Sequence, residues 1–374
     1  DYAPSVLSEA SLAARVMAEA GLPDRAAETV FFGGGTPTML DAAELSEILA
    51  GLRERIGIAT GAEVTLEANP DTVTRGDLRV LADAGFTRVS FGMQSAVPAI
   101  LATLDRTHVP ERVPLVIEWA KDAGLSTSVD LIYGTPGESL EDWETSVRAA
   151  LSYDPDHISA YALVVEEGTK MGAQVARGEL PTPDPDDEAA KYELVDELLG
   201  EAGYAWYEIS NFARASASDR ASGRASTTFE HASRHNLAYW RDWDWWGFGP
   251  GAHSHVGRMR WWNVKNPGAY AGRLRAGVSP AAAGEILGEE ERELERVMLG
   301  LRTAEGVELD GVPAMAMRDG IVSGLSVCQS LSGRVASLIS DGFIDGVAAL
   351  DGRAVLTLRG RLLADYVTRE LMGY

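Results

Sequence analysis
TVFFGGGTPTMLDAAELSEILAGLRERIGIATGAEVTLEANP, residues 29–70, carries the pattern that decides the fold. TVFFGG (29–34) is a short apolar run closed by glycine, AAELSEILAGLRERI (42–56) has helical spacing, and EVTLEA (63–68) reads as a second strand. The rhythm continues in both directions. SVLSEASLAARVMAEAG (5–21) comes before it as a helix ending on Gly21. After it, helices at RGDLRVLADAG (75–85), PLVIEWAKDAG (114–124) and LEDWETSVRAALSY (140–153) alternate with strands at RVSFGM (88–93), STSVDLIYG (126–134) and HISAYALVV (157–165). Apolar strands separated by helices predict parallel βαβ units in a sheet buried on both faces. Five strands in this rhythm predict an α/β fold, either an open sheet or a partial α/β barrel, with ligand sites at the C-terminal strand ends.

Beyond residue 180 the pattern changes. PTPDPDDE (181–188) reads as a linker and EAAKYELVDELLGEAGY (188–204) as a helix. ARASASDRASGRASTTFEHASR (213–234) has almost nothing to bury and reads as a mobile insertion. Seven of the nine tryptophans fall between Trp206 and Trp262, so this region has a character of its own. From about 280 the chain is helix-rich, and residues 341–371 pattern as a small β-wing followed by a helix. Three regions are therefore expected: a barrel over 1–180, a distinctive region over 181–279, and a winged-helix-like α+β domain over 280–374.

Lys and Arg number 33 against 56 Asp and Glu, a formal charge of −23 in 374 residues. A surface that acidic repels phosphate backbones and anionic lipid, which argues against nucleic-acid and membrane-surface roles. No apolar run reaches transmembrane length, and no signal pattern opens the chain. Cys328 is the single cysteine, which excludes a disulfide framework and points to the cytoplasm. It sits in an apolar and serine-containing stretch, where a lone cysteine reads as a small core residue. One thiol also cannot hold an iron–sulfur cluster, which needs three or four.

GGGTP (33–37), directly after a strand, exposes bare backbone at a strand end, as a close-lying ligand or a tight turn would require. It lacks the Gly-Lys-Ser/Thr of a phosphate-binding loop. Glu67, Gln94 and Asp130 lie at or near the ends of successive strands, where a barrel would gather them at one mouth around a polar ligand. Arg106 in LDRTH could pair with a ligand carboxylate or with one of these acids. His231, His235, His253 and His255 cluster among aromatics, but their spacing fits no zinc pattern and no cysteine lies nearby. A flat aromatic pocket with a histidine free to ligate iron suits a porphyrin better.

FFGGGTPTML, TLEANPDTVT, VSFGMQS, LDRTH, DLIYGTPGES, HISAYAL, YEISNFAR and GFGPGAHS follow one another over residues 29–270. In that order they resemble the coproporphyrinogen III oxidase-like branch of the radical S-adenosylmethionine (SAM) family. The resemblance implies a partial (β/α)6-type barrel, its first strand missing from this sequence. Carried over by matched position, Gly34, Gly35 and Thr36 would contact the amino-acid end of SAM. Glu67, Gln94, Arg106 and Asp130 would give polar contacts to its ribose and carboxylate, and Ala162 a backbone contact near the adenine. HNLAYW (235–240) is similar to the HNxxYW motif of the heme chaperones within this branch, which implies heme binding at His235 and delivery to acceptor hemoproteins. The alternatives implied are an oxygen-independent coproporphyrinogen III oxidase of porphyrin biosynthesis, or a tetrapyrrole-binding module without a cluster; a homodimer is left open. Family members carry Cys-x3-Cys-x2-Cys before the helix with which this chain opens. The resemblance therefore implies an N-terminally incomplete sequence, with a [4Fe–4S] cluster present only in an intact protein.

Overall fold
The computed structural model describes residues 2–23, 25–106, 108–215, 230–312 and 330–373. Its centre is a curved sheet of seven strands: β1 (Ala27–Phe32), β2 (Ile58–Ala68), β3 (Arg88–Gln94), β4 (Ser126–Tyr133), β5 (His157–Ala162), β6 (Tyr204–Glu208) and β7 (Asn211–Arg214). Their order is β1-β2-β3-β4-β5-β7-β6. The first five are parallel, whereas β7 runs antiparallel to β5 and pairs antiparallel with β6. The architecture is that of a partial α/β barrel joined to a smaller C-terminal α+β unit.

The two faces of the sheet differ in chemistry. The strands are accompanied by helices α1 (Tyr2–Glu19), α2 (Ala42–Arg55), α3 (Arg75–Ala84), α4 (Pro98–Thr103), α5 (Arg112–Asp122), α6 (Leu140–Ser152), α7 (Lys170–Ala176) and α8 (Pro185–Glu201). Val64, Leu66, Val89, Phe91, Val129, Leu131, Ile158 and Ala160 point into the main apolar core, which α2, α3, α5, α6 and α8 cover. Alternate residues, Thr65, Glu67, Arg88, Ser90, Ser128, Asp130, His157, Ser159 and Tyr161, line a cavity on the concave face. Both faces are largely buried, as the alternation of strands and helices predicts, but only one of them is apolar. With period-2 alternation each strand gives one face to the core, and here the other face builds a polar chamber.

Local sequence sets the ends of these elements. Thr74 caps α3 with a reciprocal bond to Asp77, and Ser139 caps α6 in the same way with Asp142. α8 begins inside the stretch read as a linker: the Asp184 side chain accepts from the Asp186 N–H and Pro185 takes the first helical position. The hairpin β6–β7 escaped the sequence reading because its strands are only five and four residues long.

The stretch 213–234 also differs from its reading at both ends. Ala213 belongs to β7 and Ala232 packs with Tyr207 and Leu237 in a small buried cluster; the centre of that stretch, 216–229, lies outside the described residues, as does Cys328. At the C-terminus, helix Glu289–Leu301 and helix Ala364–Met372 share a second apolar core. The wing there is reduced to two-residue strands, Val307–Glu308 against Arg353–Ala354, and a single Ile344–Leu356 bridge. Among the described residues no helix is long and apolar enough to cross a membrane.

Candidate functional site
At the C-terminal end of β2, Glu67 Oε2 accepts from the Gly34 N–H at 3.2 Å, so the glycine turn after β1 folds onto this carboxylate. Gly34 and Gly35 hold φ of 81° and 112°, and a Cβ at either would meet nothing within 4 Å. Their backbone therefore faces open space, with the left-handed conformation that favours glycine. Burial, reinforced by the nearby Asp130 carboxylate and opposed by the Gly34 N–H, pushes Glu67 up to about 7. Burial also pushes Asp130 up to about 6, against hydrogen bonds from Ser159 and Ser90; both Ser90 contacts measure 2.9 Å. Two crowded, desolvated acids at a strand-end mouth are poised to accept from hydroxyl and amino donors.

The cavity beneath them measures about 50 Å³. Thr65 Oγ1 and Arg88 Nη1 border it, both buried and without a hydrogen-bond partner among the described residues. Its floor is closed by the turn that leads into helix Arg234–Trp240. Arg88 donates to the carbonyls of His231 and Ala232 at 2.8 and 3.1 Å and lies 3.4 Å from Glu63 in a buried ion pair. Glu63 in turn accepts from the His235 N–H at 3.0 Å and from the Ser233 hydroxyl at 3.3 Å. Ser233 caps the helix through the Asn236 N–H. His157 lies fully inside, between Ser128 Oγ and the Tyr207 hydroxyl, each at 2.8 Å, and burial keeps its imidazole neutral.

Helix Arg234–Trp240 thus presents two faces. Asn236 and Trp240 donate to Glu208, which also accepts from Asn211. Burial holds that carboxyl up at about 7 despite these donors. Two separate sequence motifs, YEISNF and HNLAYW, therefore interlock through one buried acid. On the other face, His235 stacks on Phe31 of β1, with centroids 5.0 Å apart and an interplanar angle of 21°. Its Nδ1 is 2.8 Å from Thr29 Oγ1, and its Nε2 is 3.0 Å from the Tyr239 hydroxyl. Burial, opposed by Glu63, lowers the imidazole to about 4, so at neutral pH one ring nitrogen carries a lone pair. Rings continue from His235 through Tyr239 and Trp245 to the buried His255, each edge-on to the next at 4.8–4.9 Å.

The sequence-predicted residues are only partly brought together. Glu67 and Asp130 share the chamber, and Gly34 joins it through its N–H to Glu67, with Gly35 next to it in the turn. Thr36 begins the short turn Pro37–Met39, its carbonyl accepting from the Met39 N–H. Gln94 ends β3 with φ 63°, and its amide folds back to 2.7 Å from the place where a Cβ on Gly92 would sit. Ala162 is exposed at the end of β5. Arg106 is exposed and does not border the cavity.

The four clustered histidines are engaged separately: His231 faces Asp156, His253 stacks on Trp262, and His255 faces Asp242. Among the described residues no group of His, Cys, Asp or Glu is arranged to hold a metal ion. Sequence reading missed Thr29, Glu63 and Arg88, which meet the helix turn or His235 across 143 to 206 positions, and Glu208, whose donors gather only once the hairpin and the helix are packed together. It also missed His108 of LDRTH, which pins its loop by donating to the Met93 carbonyl at 2.8 Å.

Residues 6–150 match the radical SAM superfamily. The heme chaperone HemW of Mycobacterium tuberculosis is 43% identical over 358 residues, which span 96% of this chain and 84% of that protein. The heme chaperone HemW of Bacillus subtilis is 32% identical over 360 residues, 96% of this chain and 88% of its own. Among solved structures, the coproporphyrinogen III oxidase HemN of Escherichia coli, a radical SAM enzyme, superposes with a TM-score of 0.76 at 22% identity. The match covers 100% of this chain and 83% of that one, and it is a likeness of fold.

Proposed function
This chain belongs to the HemW family of heme chaperones within the radical SAM superfamily, and on that premise we propose that it takes up heme at His235 and hands it to acceptor hemoproteins. The observation that carries the reading is the placing of that imidazole, stacked on Phe31 with Nδ1 against Thr29. Burial keeps it neutral at physiological pH, as an iron ligand must be. Thr29 backs Nδ1, the second contact by which proteins orient a ligating histidine. Nε2 is then the nitrogen left for iron. Beside it lies Tyr239, 40% exposed and edge-on to Trp245, an aromatic surface suited to a flat macrocycle. Such a chaperone would work in the cytoplasm.

The mouth fits a second ligand. Gly34, Gly35 and Thr36 offer backbone groups, while Glu67, Gln94 and Asp130 offer acceptors for the hydroxyl and amino groups of S-adenosylmethionine, with Ala162 at the rim. S-adenosylmethionine, when reductively cleaved in this superfamily, supplies a 5′-deoxyadenosyl radical. Arg106, exposed and outside the cavity lining, is the cation proposed for its carboxylate. A [4Fe–4S] cluster does not fit the residues present, because Cys328 is the one thiol in this sequence.

The test is transfer. Heme-loaded protein mixed with an apo-hemoprotein should yield the acceptor's own absorption spectrum, and His235→Ala should fail to load and so fail to transfer. Loading and transfer by His235→Ala at the parent's level would overturn the assignment.

A further inference from the structure
The two nitrogens of His235 have different surroundings, and one detail of them goes beyond heme ligation itself. Nδ1 faces inward to Thr29, whereas Nε2 faces the side where the helix is exposed, and what meets it there is the Tyr239 hydroxyl at 3.0 Å. The two side chains are four residues apart on helix Arg234–Trp240, the spacing that sets side chains one above the other. Tyr239 is 40% exposed, and its ring stands edge-on between His235 and Trp245, at 84° and 90°. Among the described residues its hydroxyl has no other hydrogen-bond partner.

A neutral imidazole has one N–H and one lone pair. With Nδ1–H donating to Thr29 Oγ1, the Nε2 lone pair accepts from the Tyr239 O–H. That lone pair is the one iron needs.

We infer that Tyr239 is a releasable cap on the iron-binding nitrogen of His235. The inference rests on the reading of His235 as the heme ligand. On uptake, the O–H···Nε2 bond breaks and the Fe–Nε2 bond forms; on release the exchange reverses. No proton or electron moves in either direction. The freed phenol is already half in water, so opening the cap costs little. Its effect falls on exchange: Tyr239 keeps the lone pair aimed outward in the empty chain and competes for it in the loaded one. A protein that must surrender its cargo benefits from such an internal competitor.

Tyr239→Phe keeps the ring and its packing and removes the competing hydroxyl. It should bind heme about 2- to 10-fold more tightly, the range of one net hydrogen bond. It should also release heme to an excess of apomyoglobin more slowly, by a similar factor. In the heme-free chain, the ¹⁵N signal of His235 Nε2 should move toward that of an unbonded imidazole nitrogen. Unchanged or weaker binding by Tyr239→Phe, or an unmoved Nε2 signal, overturns the cap. His235→Ala run alongside separates the two ideas. If it binds heme like the parent, the ligand reading itself has failed and the cap falls with it; if it loses heme while Tyr239→Phe does not gain, the cap alone is wrong.

Discussion

Asp130 gives the sharpest quantitative consequence of the polar chamber. Its carboxyl titrates near 6 instead of the ordinary 3.8 because it is buried beside the sheet, with Ser159 and Ser90 recovering only part of the lost hydration. A group whose folded value is raised favours the folded state most when protonated, so stability is lost as pH climbs from 3.8 through 6. The full difference corresponds to about 3 kcal/mol at pH 8, and to about half of that at pH 5, where the unfolded carboxyl is already ionised and the folded one is not. Asp130→Asn keeps the shape and an acceptor for Ser90 while removing the charge. It should therefore stabilise the chain, by about 1–3 kcal/mol at pH 8 once screening is allowed for, and by clearly less at pH 5. It should also lower Glu67 from about 7, since the Asp130 charge is one of the two causes that raise it. Urea denaturation of both proteins at the two pH values reads the effect as a shift in midpoint. A variant that is destabilised at pH 8, or whose gain is the same at both pH values, would refute the claim that this acid is kept at the mouth against its own solvation.

Other outcomes follow from the same geometry. Glu208→Leu leaves the donors of Asn211, Asn236 and Trp240 without an acceptor, and should cost about 3 kcal/mol or more in urea unfolding, with weaker heme binding because the His235 helix loses its clamp. Lys191→Met should cost about 3–5 kcal/mol, since Lys191 and Glu138 are both fully buried and 3.3 Å apart; the loss should be smaller at pH 5 than at pH 8, because the stranded Glu138 can then take up a proton. Gly92→Ala puts a Cβ 2.7 Å from Gln94 Nε2, and the displaced amide should weaken S-adenosylmethionine binding in equilibrium dialysis by about tenfold. Parent-like affinity in that variant would remove Gln94 from the site.

The barrel was legible because each of its five parallel strands is a compact apolar run between helices with clear stops, such as Gly85 after α3. What those runs concealed was their second period. Thr65, Ser90, Ser128 and Ser159 look like interruptions within a buried strand, yet they share one face and make the chamber wall. The hairpin β6–β7 was hidden for a different reason: YEISNFAR is too short to show alternation, and its pairing with β5 is set across some fifty residues of intervening chain.

The site was legible in part. Glu67 could be found because it lies at the end of its strand, Asp130 because it is an acid inside an apolar strand, and His235 because it sits in a recognisable motif. The groups that hold His235 could not be found. Thr29 and Glu63 lie about 170 to 210 positions away and carry no local signal, and Arg88 reads as the ordinary charged start of a strand. Asn236 and Trp240 were visible as motif letters, but their role as donors to Glu208 exists only after folding.

The most direct test is a heme titration of this chain beside His235→Ala, followed in the Soret band. The account predicts saturable, one-to-one binding by the parent and a loss of at least tenfold in affinity for the variant, the scale of one iron–imidazole contact. Equal binding by the two proteins, or no saturable binding by the parent, would contradict it.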